Sequence, residues 1–205
     1  TLRDHGTDIL KLSIDHLKPK GIEVLAAVRM GDTHHKDLDP NTYNAPYFAI
    51  DHPDYVIQQP DGRTTETALD YSNPEVREHR LGIMRELVER YDIDGLELNF
   101  CRWGKFFPIG TGRENAPILT SFMTEIHDML LETAQKRKSK PFALGIIVPE
   151  GIEQCWMAGI DIKSWIDLGL IDYVTVSTWN ETDPQLPVEE FVELTKGTDI
   201  PVYAL

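Results

Sequence analysis

The stretch Asp92-Ile93-Asp94-Gly95-Leu96-Glu97-Leu98-Asn99-Phe100 alternates apolar and polar side chains from Leu96 onward. In a strand this spacing sends Leu96, Leu98 and Phe100 to one face and Glu97 and Asn99 to the other. The apolar set has to pack beneath neighbouring elements, since burying an unpaired carboxylate there costs on the order of several kcal/mol. Glu97 is therefore expected on the opposite face, where an isolated acid is suited to general acid–base work. The packing alternative is a buried ion pair between Glu97 and Arg29 or Arg102.

The same alternation supplies neighbours. Thr175 and Ser177 oppose Val174 and Val176, so the two hydroxyls, and Trp179 after them, share the polar face. Arg29 closes an earlier apolar run and Arg102 follows Asn99 by three. A carboxylate, an amide, two guanidiniums and several hydroxyls around one mouth suit a polyhydroxylated ligand. Aromatics gather after the apolar runs: Tyr43, Tyr47 and Phe48, then Trp103, Phe106 and Phe107, then Trp156 and Trp179. Such rings stack on sugar faces, and they also plug the ends of a core.

Other chemistries fit less well. Asp32, His34 and His35 offer an acid and two imidazoles, but adjacent histidines do not readily aim at one ion. No second His/Asp cluster stands at a strand end, so neither a metal nor another cofactor is expected, and Asp32 and His34 are read as ligand contacts. Cys101 and Cys155 are too few for a disulfide scaffold or a four-ligand zinc site, and Cys101 has no evident base beside it. No glycine-rich phosphate loop follows any strand. Asn180-Glu181-Thr182 matches a glycosylation acceptor, a weak signal at three residues.

Short apolar runs, each bounded by an amphipathic helix, must position these groups. The runs are Ile22 to Val28, Gly95 to Phe100, Phe142 to Val148, Ile171 to Ser177 and Ile200 to Ala204. Each is too short for a helix and rich in β-branched or aromatic residues. Between them, Asn73-Pro74-Glu75 starts a helix carrying Val76, Ile83, Met84, Leu87, Val88 and Tyr91 inward. A second places Phe122, Met123, Ile126, Met129 and Leu130 on a stripe. Asp161 caps a third with Ile162, Trp165 and Ile166 inside, stopped by Gly169. Pro187 to Lys196 buries Val188, Phe191 and Val192, and Leu10, Ile14 and Leu17 mark a helix ahead of the first strand.

Strict alternation predicts parallel strands joined by right-handed crossovers, either in an open sheet or in a (β/α) barrel. A chain beginning on a helix and ending on a strand fits one partial TIM-type barrel over 1–205 with about five strands. Its excess apolar edge is expected to favour self-association. The excursion at 30–71 is too long for a plain connection, and it contains a hairpin signal, Tyr55 to Gln59 and Arg63 to Thr67 around Asp61-Gly62. Barrel chemistry resides on the face where strands end.

The chain has 205 residues and a formal net charge of −14, which repels phosphate backbones and argues against nucleic acid. The basic cluster Lys136-Arg137-Lys138 closes a predicted helix, where cations suit the dipole. No apolar run reaches the roughly 18 residues of a membrane helix.

The run from Ala68 to Pro108 resembles the bacterial glycosyl-hydrolase-like barrel proteins called glycosyl-hydrolase-like family ten. The likeness extends to Ala27 to His35, to His52-Pro53 and to Gly159 to Ser177. It implies a (β/α)₈ fold related to glycosidases, a carbohydrate substrate, hydrolysis of O-glycosidic bonds and an exported or periplasmic location. Under it Glu97 is the general acid/base, Asn99 orients a sugar hydroxyl, and Arg29, Arg102, Trp103 and Trp179 bind substrate. Many relatives are expected to carry an acid where Asn99 stands, and glycosidases generally use two carboxyls. Glu150 and Asp183, each after a strand, are the candidates for the second. The alternatives are a non-catalytic carbohydrate-binding barrel and, third, a metal-dependent hydrolase.

Overall fold

The structure, a computed structural model, describes residues 2–31, 33, 39–41, 46–58, 64–102, 104–178 and 185–205, without the side chains of 3 and 64–66. Helix α1 (Ile9–Leu17) precedes β1 (Leu25–Arg29). After it come α2 (Tyr47–Asp51), β2 (Val56–Gln58) and β3 (Thr64–Leu69), then α3 (Pro74–Arg90) and β4 (Gly95–Asn99). The rest alternates: α4 (Gly112–Arg137), β5 (Ala143–Pro149), α5 (Ile152–Met157), α6 (Ile162–Asp167), β6 (Tyr173–Ser177), α7 (Val188–Leu194) and β7 (Val202–Ala204).

Five strands form one sheet in the order β1-β4-β5-β6-β7, with every pair parallel. The strand order follows the chain order, so each crossover advances by one strand in the same direction across the sheet. β2 and β3 pair antiparallel as the expected hairpin, with Val56 opposite Leu69 and Gln58 opposite Thr64; its turn lies outside the described residues.

One face of the sheet is sealed by helices. Leu96, Leu98, Ile146, Val148, Val174 and Val176 are all fully buried there, against Met84, Val88, Phe122, Met123, Ile126 and Trp165. Helical spacing puts most of the expected stripe residues inside, including all five named on α4. Ile83 and Val192 are exceptions: they are 37% and 53% exposed, on the outer edges of α3 and α7. Tyr91 lies just beyond α3 and donates its hydroxyl to Asp8 Oδ2 at 2.7 Å. The aromatic cluster also divides. Phe106 and Phe107 are buried core plugs, with Phe106 edge-on to both Tyr71 and Phe100.

The long excursion is tied down at both ends. Tyr71, fully buried, donates its hydroxyl to the Met30 carbonyl at 2.6 Å, linking the end of β1 to the start of α3. Phe48 of α2 stacks on His79 of α3 at 3.9 Å, and His52 stacks on Tyr55 at 5.0 Å. Burial, followed by the charge of Arg80 and by His52, holds His79 below the usual imidazole range, so it packs as a neutral ring.

The beginnings of the strands are fixed by a repeated device. Asp94 and Asp172 each follow an isoleucine and immediately precede a strand, β4 and β6 respectively. The Asp94 carboxylate accepts the Val24 N–H at 2.8 Å, while its own N–H donates to the Val24 carbonyl. Asp172 repeats both bonds on Leu144, its carboxylate accepting at 2.7 Å. Lys18 adds an ion pair to Asp94 at 3.0 Å and another to Asp92 at 3.1 Å.

Candidate active site

The face of the sheet turned away from the helices carries the odd-numbered residues of β1, β4, β5 and β6. The parallel registers line them up in rows. In the first, Ala27 stands beside Glu97, Glu97 beside Gly145, and Gly145 beside Tyr173. The second runs Arg29, Asn99, Ile147, Thr175 and Tyr203. Glu97 and Asn99 thus project where strand alternation requires, opposite the fully buried Leu96 and Leu98.

Glu97 is half-buried and its partner is a phenol. The Tyr173 hydroxyl donates to Glu97 Oε2 at 2.7 Å across the whole width of β5. That reach depends on the residue between them. A Cβ at Gly145 would lie 1.9 Å from Tyr173 Cζ and within 2.4 Å of both Cε atoms, so the ring occupies the volume a side chain would take. Tyr203 meets the Tyr173 ring edge-on at 5.8 Å. Burial first, and then the hydrogen bond and charge of Glu97, push the Tyr173 phenol well above its ordinary value. Tyr173 therefore keeps its proton at neutral pH and acts as a donor.

The ion pair weighed against this role is not formed: among the described residues no arginine pairs with Glu97, and Arg29, at the exposed end of the second row, stands beside Asn99 instead. Asn99 Oδ1 accepts the Arg102 backbone N–H at 3.0 Å, shaping the turn out of β4. Thr175 and Ser177 share the inner face, and the Ser177 carbonyl accepts from Cys101 Sγ at 3.3 Å.

Glu150 lies further out. Pro149 ends β5 four residues beyond Gly145, about 13 Å along the strand at about 3.3 Å per residue. Glu150 follows it and accepts from Gln154 Nε2 at 3.4 Å. Asp32, His34, Trp103, Trp179 and Asp183 lie outside the described residues. Both thiols are poor nucleophiles. Burial raises Cys101, with the nearby Glu150 charge adding to it, and burial pushes Cys155 up to about 12. Among the described residues no three His, Cys, Asp or Glu side chains converge to hold a metal, and no helix is long and apolar enough to cross a membrane.

Sequence reasoning did not single out Tyr173 or Gly145. Tyr173 was within reach, since it shares its strand parity with Thr175 and Ser177. Gly145 gave no signal by itself, because a glycine in a strand has meaning only once the ring crossing it is known.

The fold is that of the TIM-barrel glycoside hydrolases over part of their chains. The glycoside hydrolase domain of PelA from Pseudomonas aeruginosa superposes with a TM-score of 0.62 at 15% identity, over 95% of this chain and 71% of that one. A Paenibacillus sp. cycloisomaltooligosaccharide glucanotransferase, complexed with cycloisomaltoheptaose, gives 0.54 at 12% identity over 95% of this chain and 28% of its own. YKL-39, solved in the presence of chitooligosaccharides, gives 0.52 at 13% identity over 95% and 51%. No curated protein matches. The chain belongs to the glycosyl hydrolase-like 10 family, whose model matches residues 1–103.

Proposed function

We propose that this domain hydrolyses O-glycosidic bonds of a carbohydrate, with Glu97 as the general acid/base. The observation that carries the reading is a half-buried carboxylate on the inner face of a parallel sheet, held by a neutral phenol rather than by a cation. A carboxylate engaged by one neutral donor keeps an oxygen for proton transfer, whereas one locked to arginine serves packing. Arg29, Asn99 and Arg102, together with Asp32, His34, Trp103 and Trp179, supply hydrogen bonds and stacking for the sugar. Two of the fold relatives were solved with oligosaccharides, cycloisomaltoheptaose in one case and chitooligosaccharides in the other, and this supports a glycan ligand.

Glu150 is the second carboxyl under this proposal, approaching from the loop after β5. Inverting and retaining glycosidases hold their carboxyls about 6.5–9.5 Å and about 5 Å apart, so a sugar-bound form would show the loop carrying Glu150 inward. The other reading, a barrel that binds carbohydrate without cleaving it, is favoured by Asn99, an amide at the position where many relatives are expected to carry an acid.

The test is Glu97→Gln against the full-length protein, with 4-nitrophenyl glycosides and a polysaccharide panel followed by reducing-end release. Loss of turnover with retained binding in calorimetry is the expected result. Unchanged turnover would remove Glu97 from the chemistry. Binding without cleavage by the unaltered protein would establish the binding barrel.

A further inference from the structure

We propose that Tyr173, lying across Gly145, is a positioning residue that fixes the Glu97 carboxylate and leaves Oε1 as its working oxygen. This rests on the Glu97 reading above and deepens it. Its basis is geometric. Glu97 and Tyr173 belong to strands that do not touch, with β5 between them, yet their oxygens are 2.7 Å apart. The ring can bridge that gap only because position 145 has no side chain, and an alanine there would overlap the ring carbons.

The bond has a chemical consequence. Oε2 accepts the phenol proton, so a proton carried by Glu97 sits on Oε1 and is delivered or taken up there. The phenol stays protonated because burial disfavours its charged form, and the hydrogen bond and charge of Glu97 add to that. Tyr173 is thus a fixed donor, poorly suited to be the nucleophile. Its edge-on contact with Tyr203 fixes the ring from the far side, so three adjacent strands, β5, β6 and β7, set the orientation of one carboxylate on a fourth. A carboxylate held in this way is preorganised, and a displacement of about 1 Å is enough to cost on the order of 100-fold in rate.

Two measurements test this without a known substrate. Crystal structures of the full-length protein and of its Tyr173→Phe variant are compared at Glu97. The expected result is that the carboxylate leaves its wild-type position or splits between rotamers in the variant. A carboxylate that stays in place overturns the proposal. In tyrosine Cζ-labelled protein, the resonance lost in Tyr173→Phe is expected to move in Glu97→Gln, and one that ignores Glu97 also overturns it.

With any glycoside that the unaltered protein cleaves, Tyr173→Phe is expected to lower kcat about 10- to 100-fold, leave KM within about twofold, and displace the pH–rate limb that depends on Glu97. Gly145→Ala should reproduce the loss with the phenol intact. Wild-type kcat in Tyr173→Phe, alongside an inactive Glu97→Gln, rejects the positioning role and keeps Glu97. An active Glu97→Gln rejects the reading of Glu97 itself.

Discussion

Carboxylates stand at two levels of the same sheet, and they are held in different ways. At the rim where strands begin, Asp94 accepts a backbone N–H and a lysine, and Asp172 accepts a backbone N–H. On the inner face, Glu97 accepts one phenol. The rim acids are taken up by backbone N–H groups at the beginnings of neighbouring strands, Val24 just ahead of β1 and Leu144 near the start of β5. Glu97 satisfies no backbone group among the described residues. The contrast separates acids that build the sheet from an acid the sheet displays.

Glu97→Ala should break the comparison most sharply if the two sites are alike. It is expected to reduce glycoside turnover by about 1,000-fold, roughly 4 kcal/mol of transition-state stabilisation, while shifting the urea midpoint little. A large fall in stability would place Glu97 with the rim.

Asp94→Ala should do the reverse. It removes an acceptor from the Val24 N–H and from Lys18, and is expected to lower unfolding free energy by about 1.5–3 kcal/mol with turnover per folded molecule unchanged. Equilibrium urea unfolding read by tryptophan fluorescence checks it. Asp172→Ala, which frees only the Leu144 N–H, should cost about 1–2 kcal/mol by the same measurement.

The pH dependence sharpens the point. Burial works against the charge on Asp94, but the Val24 N–H and Lys18 outweigh it and hold the carboxyl below its ordinary value. Its folded value is depressed, so its contribution is present above the unfolded value of about 3.9 and is lost as pH falls through the folded one. The stability gap between wild type and Asp94→Asn should therefore be widest near neutrality and close in acid. A gap that widens in acid would contradict the assignment. The smallest effect is expected for Lys18→Met. Its ion pairs are partly exposed, so the loss should be under about 1 kcal/mol and should shrink further in salt.

Much of this was legible from residue order. Period-two alternation in Leu96 to Phe100 and in Val174 to Ser177 assigned faces correctly, because a strand with one sealed face permits one phase. Helical stripes were legible where the residues three and four positions away are buried as well, as around Ile126 on α4. Ile83 and Val192 were misplaced because an apolar residue at the edge of a stripe is stabilised only if another element covers it, and covering is not a local property. The aromatic cluster failed to discriminate for a related reason. Phe106 serves the core because Tyr71 and Phe100, distant in sequence, surround it.

The sequence by itself determined that strands and helices alternate, that the strands run parallel, and that Glu97 shares a face with Asn99. These follow from side-chain periodicity and from the handedness of crossovers, both local physics. Only the tertiary structure decided what Glu97 touches. That contact depends on register between strands joined by no short loop, on a ring crossing a strand, and on the missing side chain at Gly145 that lets it cross.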